Sequence, residues 1–362
     1  MRFYFRAQKY WFGPAQAILR AIIITSCQHP SNTPEFGRIR AWLTAYFCVP
    51  EKQVLKVCRS LEEFEASGPT VVTTGTFDGL HIGHRRILDR VNELAKNMNG
   101  QSVLLTFFPH PRMVLNPDDH GLKLLTTQDE KIRLLEETGL DCLVIHPFTK
   151  DFSRTSSTDF IRNILVDGLQ TKKLVIGYDH HFGKNREGSF EHLVECGPLY
   201  GFDVEEISAQ DIDDVAVSST KVRHALSDGD VTTAESYLGY PFELSGTVIE
   251  GDKLGRTIGF RTANISVEED YKMIPSNGSY ACMAHCGNEK FDAMVNIGVR
   301  PTVEGSELRI EAHLLEFEKE IYGERLRLQF KHRLRPEQKF DGLEELKAQL
   351  EKDREQTRSL LK

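Results

Sequence analysis

The sequence lacks most of the features that would assign a chain to a class on composition alone. Its most apolar stretch, "AILRAIIIT", is interrupted by Arg20 and is too short to cross a membrane. The seven cysteines are odd in number and scattered, which argues against a disulfide framework and favours a reducing compartment. A net charge of −8 argues against a general nucleic-acid binder, and no internal repeat is evident. We therefore expect a cytoplasmic protein of two or three domains, without membrane or nucleic-acid partners.

The first 56 residues differ from the rest in composition. Residues 1–57 hold eight Lys or Arg against two acids, whereas the remainder carries 37 basic and 51 acidic residues. A targeting peptide has such a basic, acid-poor composition, but a clean apolar core and a small-residue cleavage site are both missing. We favour a disordered extension, or one upstream of the true start, over residues 1–56. The remaining chain is predicted to form two domains, over residues 57–238 and 239–362.

Strand-like and helix-like segments alternate in the first of these domains. The predicted strands are "TVVTTGTF", taken as the first strand, then "SVLLTFFP", "LDCLVIHPF", "KKLVIGYD" and "FDVEEI". The predicted helices between and after them are "HRRILDRVNELAKNM", "TQDEKIRLLEETG" with Thr127 as N-cap, "SSTDFIRNILVDGL", "SFEHLVECGPLYG" and "SSTKVRHALSDGD". Strands that alternate with helices of this length predict a doubly wound α/β domain with a parallel sheet.

The pattern changes after about residue 241. Six strand-like segments follow, separated by turn residues, and they predict a small antiparallel β-barrel closed by a C-terminal helix. The segments are "FELSGTVIEG", "FRTANISV", "SYACMAHCG", "KFDAMVNIG", "RIEAHLLEF" and "ERLRLQFKHRL". Cys282, His285 and Cys286 could be metal ligands, but no second pair follows at zinc-site spacing, so a buried strand is favoured.

The stretch "TGTFDGLHIGH" lies between the first predicted strand and the helix that follows it. Ligands of parallel sheets bind at the carboxyl ends of strands, against helix N-termini. Gly75 and Gly79 would let the backbone approach a phosphate closely. His81 and His84, three residues apart, would share one face of the first helical turn and donate N–H groups to phosphate oxygens. We expect that either imidazole can carry a proton near neutral pH and stabilise charge on a reacting phosphoryl group.

This stretch resembles the HxGH signature that nucleotidylyltransferases share with class I aminoacyl-tRNA synthetases. The synthetases also carry a KMSKS loop, whereas the Lys272-Met273 pair here continues as Ile-Pro-Ser. "VSSTKVRHAL" instead resembles the ISSTxxR motif of the nucleotidylyltransferases, which favours a Rossmann-like nucleotidylyltransferase domain. The resemblance implies that a group of residues around the two histidines binds ATP phosphates: Gly75, Phe77, Asp78, Gly79, Ser218, Ser219, Thr220 and Arg223.

Further motifs narrow the resemblance to one family. "GYDHHFGKNREG" and "FFPHPRMVLNP" resemble loops of bacterial FAD synthetases, and "GDKLGRTIGFRTANI" resembles the G-R-x-x-G-F-P-T-A-N segment of riboflavin kinases. "NIGVRPTV", "RIEAHLLEF" and "IYGERLRLQFKHRLRPEQKF" follow in the order of the kinase module. From about residue 56 onward, the chain is similar to prokaryotic bifunctional riboflavin kinase/FAD synthetases.

The resemblance implies two reactions. Riboflavin is phosphorylated by ATP to FMN, and FMN is then adenylylated by a second ATP to FAD with release of pyrophosphate. It implies ATP, riboflavin and FMN as small-molecule substrates and Mg²⁺ as cofactor. In the kinase half it implies Glu311 as the base, Gly255, Thr262 and Asn264 for ATP and Mg²⁺, with Thr262 and Asn264 as the metal ligands, and Arg335 and Glu337 near the flavin. In the synthetase half it implies a flavin or nucleotide pocket at Asp179, Phe182 and Gly183.

Two departures and three alternatives stay open. Arg261 stands where the kinase pattern has Pro, and Ala216 where many relatives carry Arg. Arg261 could aid phosphate binding or disturb the turn. The alternatives are an adenylyltransferase whose barrel only binds flavin, a flavin carrier without activity, and a nucleotidylyltransferase for another phosphorylated acceptor. We expect a monomer or a weak homo-oligomer.

Overall fold

The computed structural model describes residues 54–116, 121–177, 181–207, 217–251, 255, 258–302 and 305–362. Most of the predicted N-terminal extension, residues 1–53, lies outside them. The first strand described begins at Lys56, one residue before the predicted boundary. Val54–Lys362 form one compact unit, so contacts between its two halves can be described.

The first half is built on a six-stranded parallel sheet in the order β1-β4-β3-β2-β5-β6. Its strands are β1 (Lys56–Cys58), β2 (Thr70–Thr74), β3 (Gln101–Phe108), β4 (Cys142–Pro147), β5 (Thr171–Gly177) and β6 (Asp203–Ile207). The predicted doubly wound sheet is therefore confirmed. "TVVTTGTF" is not the first strand, because β1 precedes it and pairs with β4 at the far edge. The strand order reverses around β2, which puts the carboxyl ends of β2 and β5 side by side at the position where such sheets bind ligands.

Helices cover the sheet and link the two halves. They are α1 (Ile82–Asn97), α2 (Pro111–Leu115), α3 (Gln128–Leu135), α4 (Ser157–Asp159), α5 (Phe190–Tyr200), α6 (Ser219–Asp228), α7 (Val231–Leu238) and, at the C-terminus, α8 (Leu343–Leu360). The helix begun by α4 continues over Phe160–Gly168 with wider, π-type turns. The predicted Thr127 cap is confirmed as a full capping box, since Thr127 Oγ1 accepts from Glu130 N at 3.2 Å and Thr127 N donates to Glu130 Oε2 at 3.0 Å.

The second half is a closed antiparallel barrel in the order β10-β11-β8-β7-β12-β9, as predicted. Its strands are β7 (Glu243–Ile249), β8 (Ala263–Ser266), β9 (Gly278–Cys286), β10 (Glu289–Thr302), β11 (Gly305–Leu314) and β12 (Arg325–Pro336). Alternate residues fill the interior, among them Val295, Ile310, Ala312 and Leu314. Cys282 lies on β9 and is buried in this core, which confirms the predicted buried strand.

Helix α8 is fixed to the barrel by a buried ion pair. Asp353 is only 1% exposed and accepts from Arg335 Nη2 at 2.9 Å and from Gln349 Nε2 at 2.8 Å. A buried carboxylate is tolerable only when it is paired in this way. Arg335 on β12 is therefore one of the residues that fix α8 on the barrel.

Candidate active sites

The loop after β2 is held in a conformation that few side chains adopt. Phe77, Gly79 and Leu80 have φ of 45°, 81° and 37°. A Cβ atom at Gly79 would lie 2.6 Å from Leu125 Cδ1, so only glycine fits there. Tyr240 Oη donates to the Gly79 carbonyl at 2.7 Å. Gly75, at the start of the loop, donates from its N–H to the Leu105 carbonyl at 3.0 Å. Strain of this kind is typical of functional loops.

The two histidines at the start of α1 are stacked. His81 is the N-cap of α1, and its Nδ1 accepts from His84 N at 3.3 Å. The His81 and His84 ring centroids are 3.6 Å apart, and the Phe77 ring stacks on His84 at 4.6 Å. The prediction that both imidazoles share the first helical turn therefore agrees with the geometry, at the end of the helix that favours anions.

The surroundings of His84 disfavour its protonated form. Burial lowers the pKa of His84 well below its ordinary value, and the neighbouring His81 and Lys131 lower it further. His84 Nδ1 is buried and has no hydrogen-bond partner among the described residues. The lowered pKa favours the neutral imidazole of His84 in the ligand-free protein. An anion bound against the ring would raise this pKa.

The carboxylate of Asp78, a residue predicted to contact phosphate, accepts hydrogen bonds from other parts of the protein. Its carboxylate is 2% exposed and accepts from Leu125 N at 2.9 Å, from Thr126 N at 3.2 Å and from Arg223 Nη2. The carboxylate of Asp78 is thus satisfied by donors within the protein. Asp78 orients the loop and Arg223, and its contact with ATP phosphates stays a prediction.

The "SST" motif behaves partly as a helix cap. Ser218 is the N-cap of α6 and accepts from Lys221 N at 3.3 Å. Ser219 Oγ donates to the Asp78 carbonyl at 2.8 Å, which ties α6 to the loop after β2. Thr220 is exposed. Arg223 Nε donates to the Lys123 carbonyl at 2.7 Å, so its guanidinium is fixed beside Asp78. The two motifs are brought together across more than a hundred residues of sequence, as predicted.

Two further basic residues of this site were not selected from the sequence. Lys131 on α3 is buried, and its Nζ donates to the Thr76 carbonyl at 2.8 Å. Burial lowers the pKa of Lys131, and Asp78 opposes that shift. His110, in "FFPHP", caps α2, and burial lowers its pKa to about 4. The motif itself was the available signal for His110, whereas nothing in the sequence marks Lys131.

The predicted pocket after β5 is only partly described. Asp179 lies outside the described residues. Phe182 is 8% exposed and packs on Phe160 in the core between the sheet and its helices, with ring centroids 5.4 Å apart. Gly183 has φ 74°, and a Cβ there would lie 2.9 Å from the Ser157 backbone. Phe182 and Gly183 therefore contribute to packing, and their place in a flavin or nucleotide pocket stays a prediction.

The predicted kinase residues share one face of the barrel. Glu311 on β11 pairs directly with Asn264 on β8 and with Asn296 on β10. Directly paired residues of antiparallel strands have their side chains on the same face. Because Ile310 and Ala312 fill the interior, Glu311 and Asn264 lie on the outer face, where Glu311 is partly exposed. The outer face of the barrel therefore carries the carboxylate.

Neutral oxygens surround this carboxylate. Thr262 lies just before β8. A Cβ atom at Gly255 would lie 3.5 Å from Thr262 Oγ1, and one at Gly251 would overlap the Asn264 amide, so the chain passes closely over both side chains. One amide and one hydroxyl oxygen beside a carboxylate form a donor set that fits Mg²⁺, which takes its other ligands from phosphates and water.

Arg261 and Thr262 both line a cleft next to these residues. The cleft is lined by Thr262, Phe317, Ile321 and Tyr322, among others. Arg261 Nη1 reaches the Glu318 carbonyl at 3.5 Å, and the Arg261 carbonyl interacts with His313 Nδ1 at 2.7 Å. The register of β8 is intact beyond Arg261. Arg261 therefore adds a cation to the cleft without displacing Thr262 or Asn264.

The two predicted flavin-side residues have different positions. Arg335 pairs with the buried Asp353 and holds α8, and its predicted place near the flavin stays a prediction. Glu337 is exposed and accepts from Asn277 Nδ2 at 3.0 Å. Its Oε1 lies 2.6 Å from where a Cβ at Gly298 would be, on the same face as Asn296 and Glu311. Glu337 thus lies on the face that carries the predicted base.

Comparison with known families agrees with this division into halves. The family model for FAD synthetase matches residues 63–221, and that for riboflavin kinase matches residues 238–361. No helix among the described residues is both long enough and apolar enough to span a bilayer.

Curated relatives match over most of their length. The bifunctional riboflavin kinase/FMN adenylyltransferase of Listeria monocytogenes is 39% identical, over 80% of this chain and 91% of the relative. That of Escherichia coli K12 is 39% identical over 78% and 90%, and that of Bacillus subtilis 34% identical over 81% and 92%. A crystal structure described as a macrolide-efflux protein from Streptococcus pneumoniae shares the fold, with a TM-score of 0.77 and 28% identity over 84% of this chain and 99% of that one. The chain belongs to the family of bifunctional riboflavin kinase/FMN adenylyltransferases.

Proposed function

We propose that the two sites of this chain make FAD in sequence, with phosphoryl transfer at Glu311 and adenylyl transfer at the stacked histidines. The first site converts riboflavin and ATP to FMN and ADP. The second joins FMN to the AMP part of another ATP and releases pyrophosphate. The observation that carries the proposal is that both motif sets are assembled in one compact unit, each at a separate site.

In the kinase half, the partly exposed Glu311 accepts the proton of the ribityl hydroxyl as that oxygen attacks the γ-phosphorus of ATP. Proton transfer to a positioned carboxylate contributes typically 10² to 10⁴-fold to such a rate. The cleft beside Thr262 holds the nucleotide, since it combines apolar walls with cations. Mg²⁺, held by Thr262 and Asn264, would neutralise phosphate charge during transfer.

In the synthetase half, a phosphate oxygen of FMN attacks the α-phosphorus of ATP and pyrophosphate leaves. No covalent intermediate with the protein is needed. His81 and His84 donate N–H groups to the reacting phosphates at the N-terminus of α1, and Arg223 supplies fixed positive charge. Preorganised donors of this kind are worth about 10² to 10³-fold each in rate.

The test is product analysis by chromatography after incubation with riboflavin, ATP and Mg²⁺. Wild type should yield FAD, His84→Ala should stop at FMN, and Glu311→Gln should yield almost nothing from riboflavin but FAD from added FMN. Glu307→Gln is a matched control on the same face of β11, because Glu307 is exposed and pairs with Arg309. FAD formation by His84→Ala at the wild-type rate, or FMN formation by Glu311→Gln, would refute the assignment. An adenylyltransferase with a flavin-binding barrel would make no FMN even as wild type.

A further inference from the structure

Residues 123–127 form a segment that contacts Asp78 and Arg223 of the adenylyltransferase site. The backbone N–H groups of Leu125 and Thr126 donate to Asp78, at 2.9 and 3.2 Å. The Lys123 carbonyl accepts from Arg223 Nε at 2.7 Å. The orientation of Asp78, and through it of Arg223, therefore depends on where this segment lies.

The other edge of the same segment pairs with the kinase half. Leu124 N donates to the Tyr271 carbonyl at 2.6 Å, and Met273 N donates to the Leu124 carbonyl at 2.7 Å. The pairing partner is the stretch around Lys272-Met273, between β8 and β9. This Lys-Met pair is not a synthetase-type loop, and the two proposed reactions assign it no role.

Lys272 joins the two halves by a buried charge. Its side chain is 1% exposed, and Nζ donates to the Leu125 carbonyl at 2.7 Å and to Glu130 Oε2 at 2.5 Å. Glu130 Oε2 is also the atom that accepts from Thr127 N in the capping box of α3. A buried ammonium and carboxylate fix each other in position, because separating them would leave two buried charges without a partner. Helix α3 in turn carries Lys131, which binds the Thr76 carbonyl in the loop after β2.

The geometry points to Lys272 as a positioning residue for adenylyl transfer, supplied by the kinase half of the chain. It fixes the segment 123–127 and the start of α3, which together orient Asp78, Arg223 and Lys131. Among the described residues, no hydrogen bond joins Lys272 or this segment to Thr262, Asn264 or Glu311. Loss of the Lys272 ammonium therefore impairs adenylyl transfer and spares phosphorylation. The inference rests on the proposed assignment of adenylyl transfer to this loop.

The experiment measures both half-reactions of full-length Lys272→Met, with FMN and ATP for one and riboflavin and ATP for the other. A catalytic group displaced by about 1 Å costs on the order of 10²-fold, so kcat for FAD formation should fall by about that factor. FMN formation should change by no more than about twofold, as expected for an uncoupled site. Lys331→Met is the matched control, because Lys331 Nζ pairs with Glu235 across the same junction at 2.9 Å but does not touch residues 123–130. Equal losses in both reactions, or unchanged FAD formation, would overturn the inference.

A double-mutant cycle separates positioning from general destabilisation. In an Arg223→Ala background, Lys272→Met should lower FAD formation by a smaller factor than it does in wild type, because one of the groups that it orients is already gone. Losses that multiply would indicate a merely structural role and overturn the inference. Full FAD formation by Arg223→Ala alone would instead refute the site assignment on which the inference rests.

A second variant covers failure of Lys272→Met to fold. Lys272→Met/Glu130→Gln removes both buried charges and should fold, yet it should still form FAD slowly, because the Leu125 carbonyl has lost its donor. Recovery of wild-type FAD formation in this double variant would overturn the inference.

Discussion

Asp78→Asn tests whether the buried carboxylate organises the adenylyltransferase site. The substitution keeps the shape of the side chain and one acceptor oxygen for the N–H groups of Leu125 and Thr126, but it turns the oxygen that accepts from Arg223 into a donor. It also removes the partner of Arg223, whose side chain is 18% exposed. Removing one partner of a buried ion pair costs about 3 to 5 kcal/mol, and a hydrogen bond to a charged group is worth about 1.5 to 3 kcal/mol. Arg223 keeps its bond to the Lys123 carbonyl, so the lower end applies, about 3 kcal/mol.

The assays are urea unfolding followed by circular dichroism and the two half-reactions measured separately. We expect the free energy of unfolding to fall by about 3 kcal/mol and FAD formation from FMN to fall on the order of 10²-fold. FMN formation should persist in the folded variant. Asp89→Asn, at an exposed position of α1, is the control and should match wild type. The reasoning is refuted if Asp78→Asn unfolds within about 1 kcal/mol of wild type and makes FAD at the wild-type rate.

Two further predictions concern the barrel and the synthetase half. Arg335→Met leaves the buried Asp353 carboxylate without its ion-pair partner and should destabilise the protein by about 3 kcal/mol or more. The loss should appear as a lower urea midpoint and as faster amide exchange in α8. Unchanged amide exchange in α8 would contradict the role assigned to the pair. The pKa of His110 is lowered from its ordinary 6.5 to about 4, mainly by burial and further by Lys131, Arg223 and Arg112, while Asp78 opposes the shift. As the pH falls, the unfolded chain therefore binds a proton at His110 before the folded protein does. The stability of the protein should fall as the pH drops from about 6.5 to about 4. His110→Asn keeps an acceptor at this N-cap and should weaken that pH dependence in urea unfolding, and an unaltered dependence would rule out His110 as its source.

Most of the fold could be predicted because its segments carry strong local signals. The buried strands of the sheet are nearly continuous apolar runs, and the barrel strands alternate. Strand β1 was missed because Lys56–Cys58 is too short to show a period. Helix α7 was missed although Asp230 caps it, because the preceding Gly229 predicts the end of a helix and not the start of another.

The candidate sites were predictable only as motifs. Asp78 and Arg223 are 145 residues apart, and no local pattern indicates that they pair. In the sequence, a carboxylate in a loop looks the same whether it faces a ligand or the backbone of Leu125, so the contacts of Asp78 could not be predicted. The lowered pKa of His84 could not be predicted either, because it comes from burial, and a motif does not encode burial. Lys272 resembles an ordinary turn lysine until its 1% exposure is known.

The pairing of Glu311 with Asn264 and Asn296 means that the kinase chemistry depends on the register of β11, because alternate residues of a strand lie on opposite faces. A strand displaced by a single residue could still close a barrel, but Glu311 would then point among Val295 and Leu314, while an aliphatic side chain would take its place outside. Deleting one amino acid between β10 and β11 should therefore be far more harmful than deleting two, even though the larger change removes more of the chain.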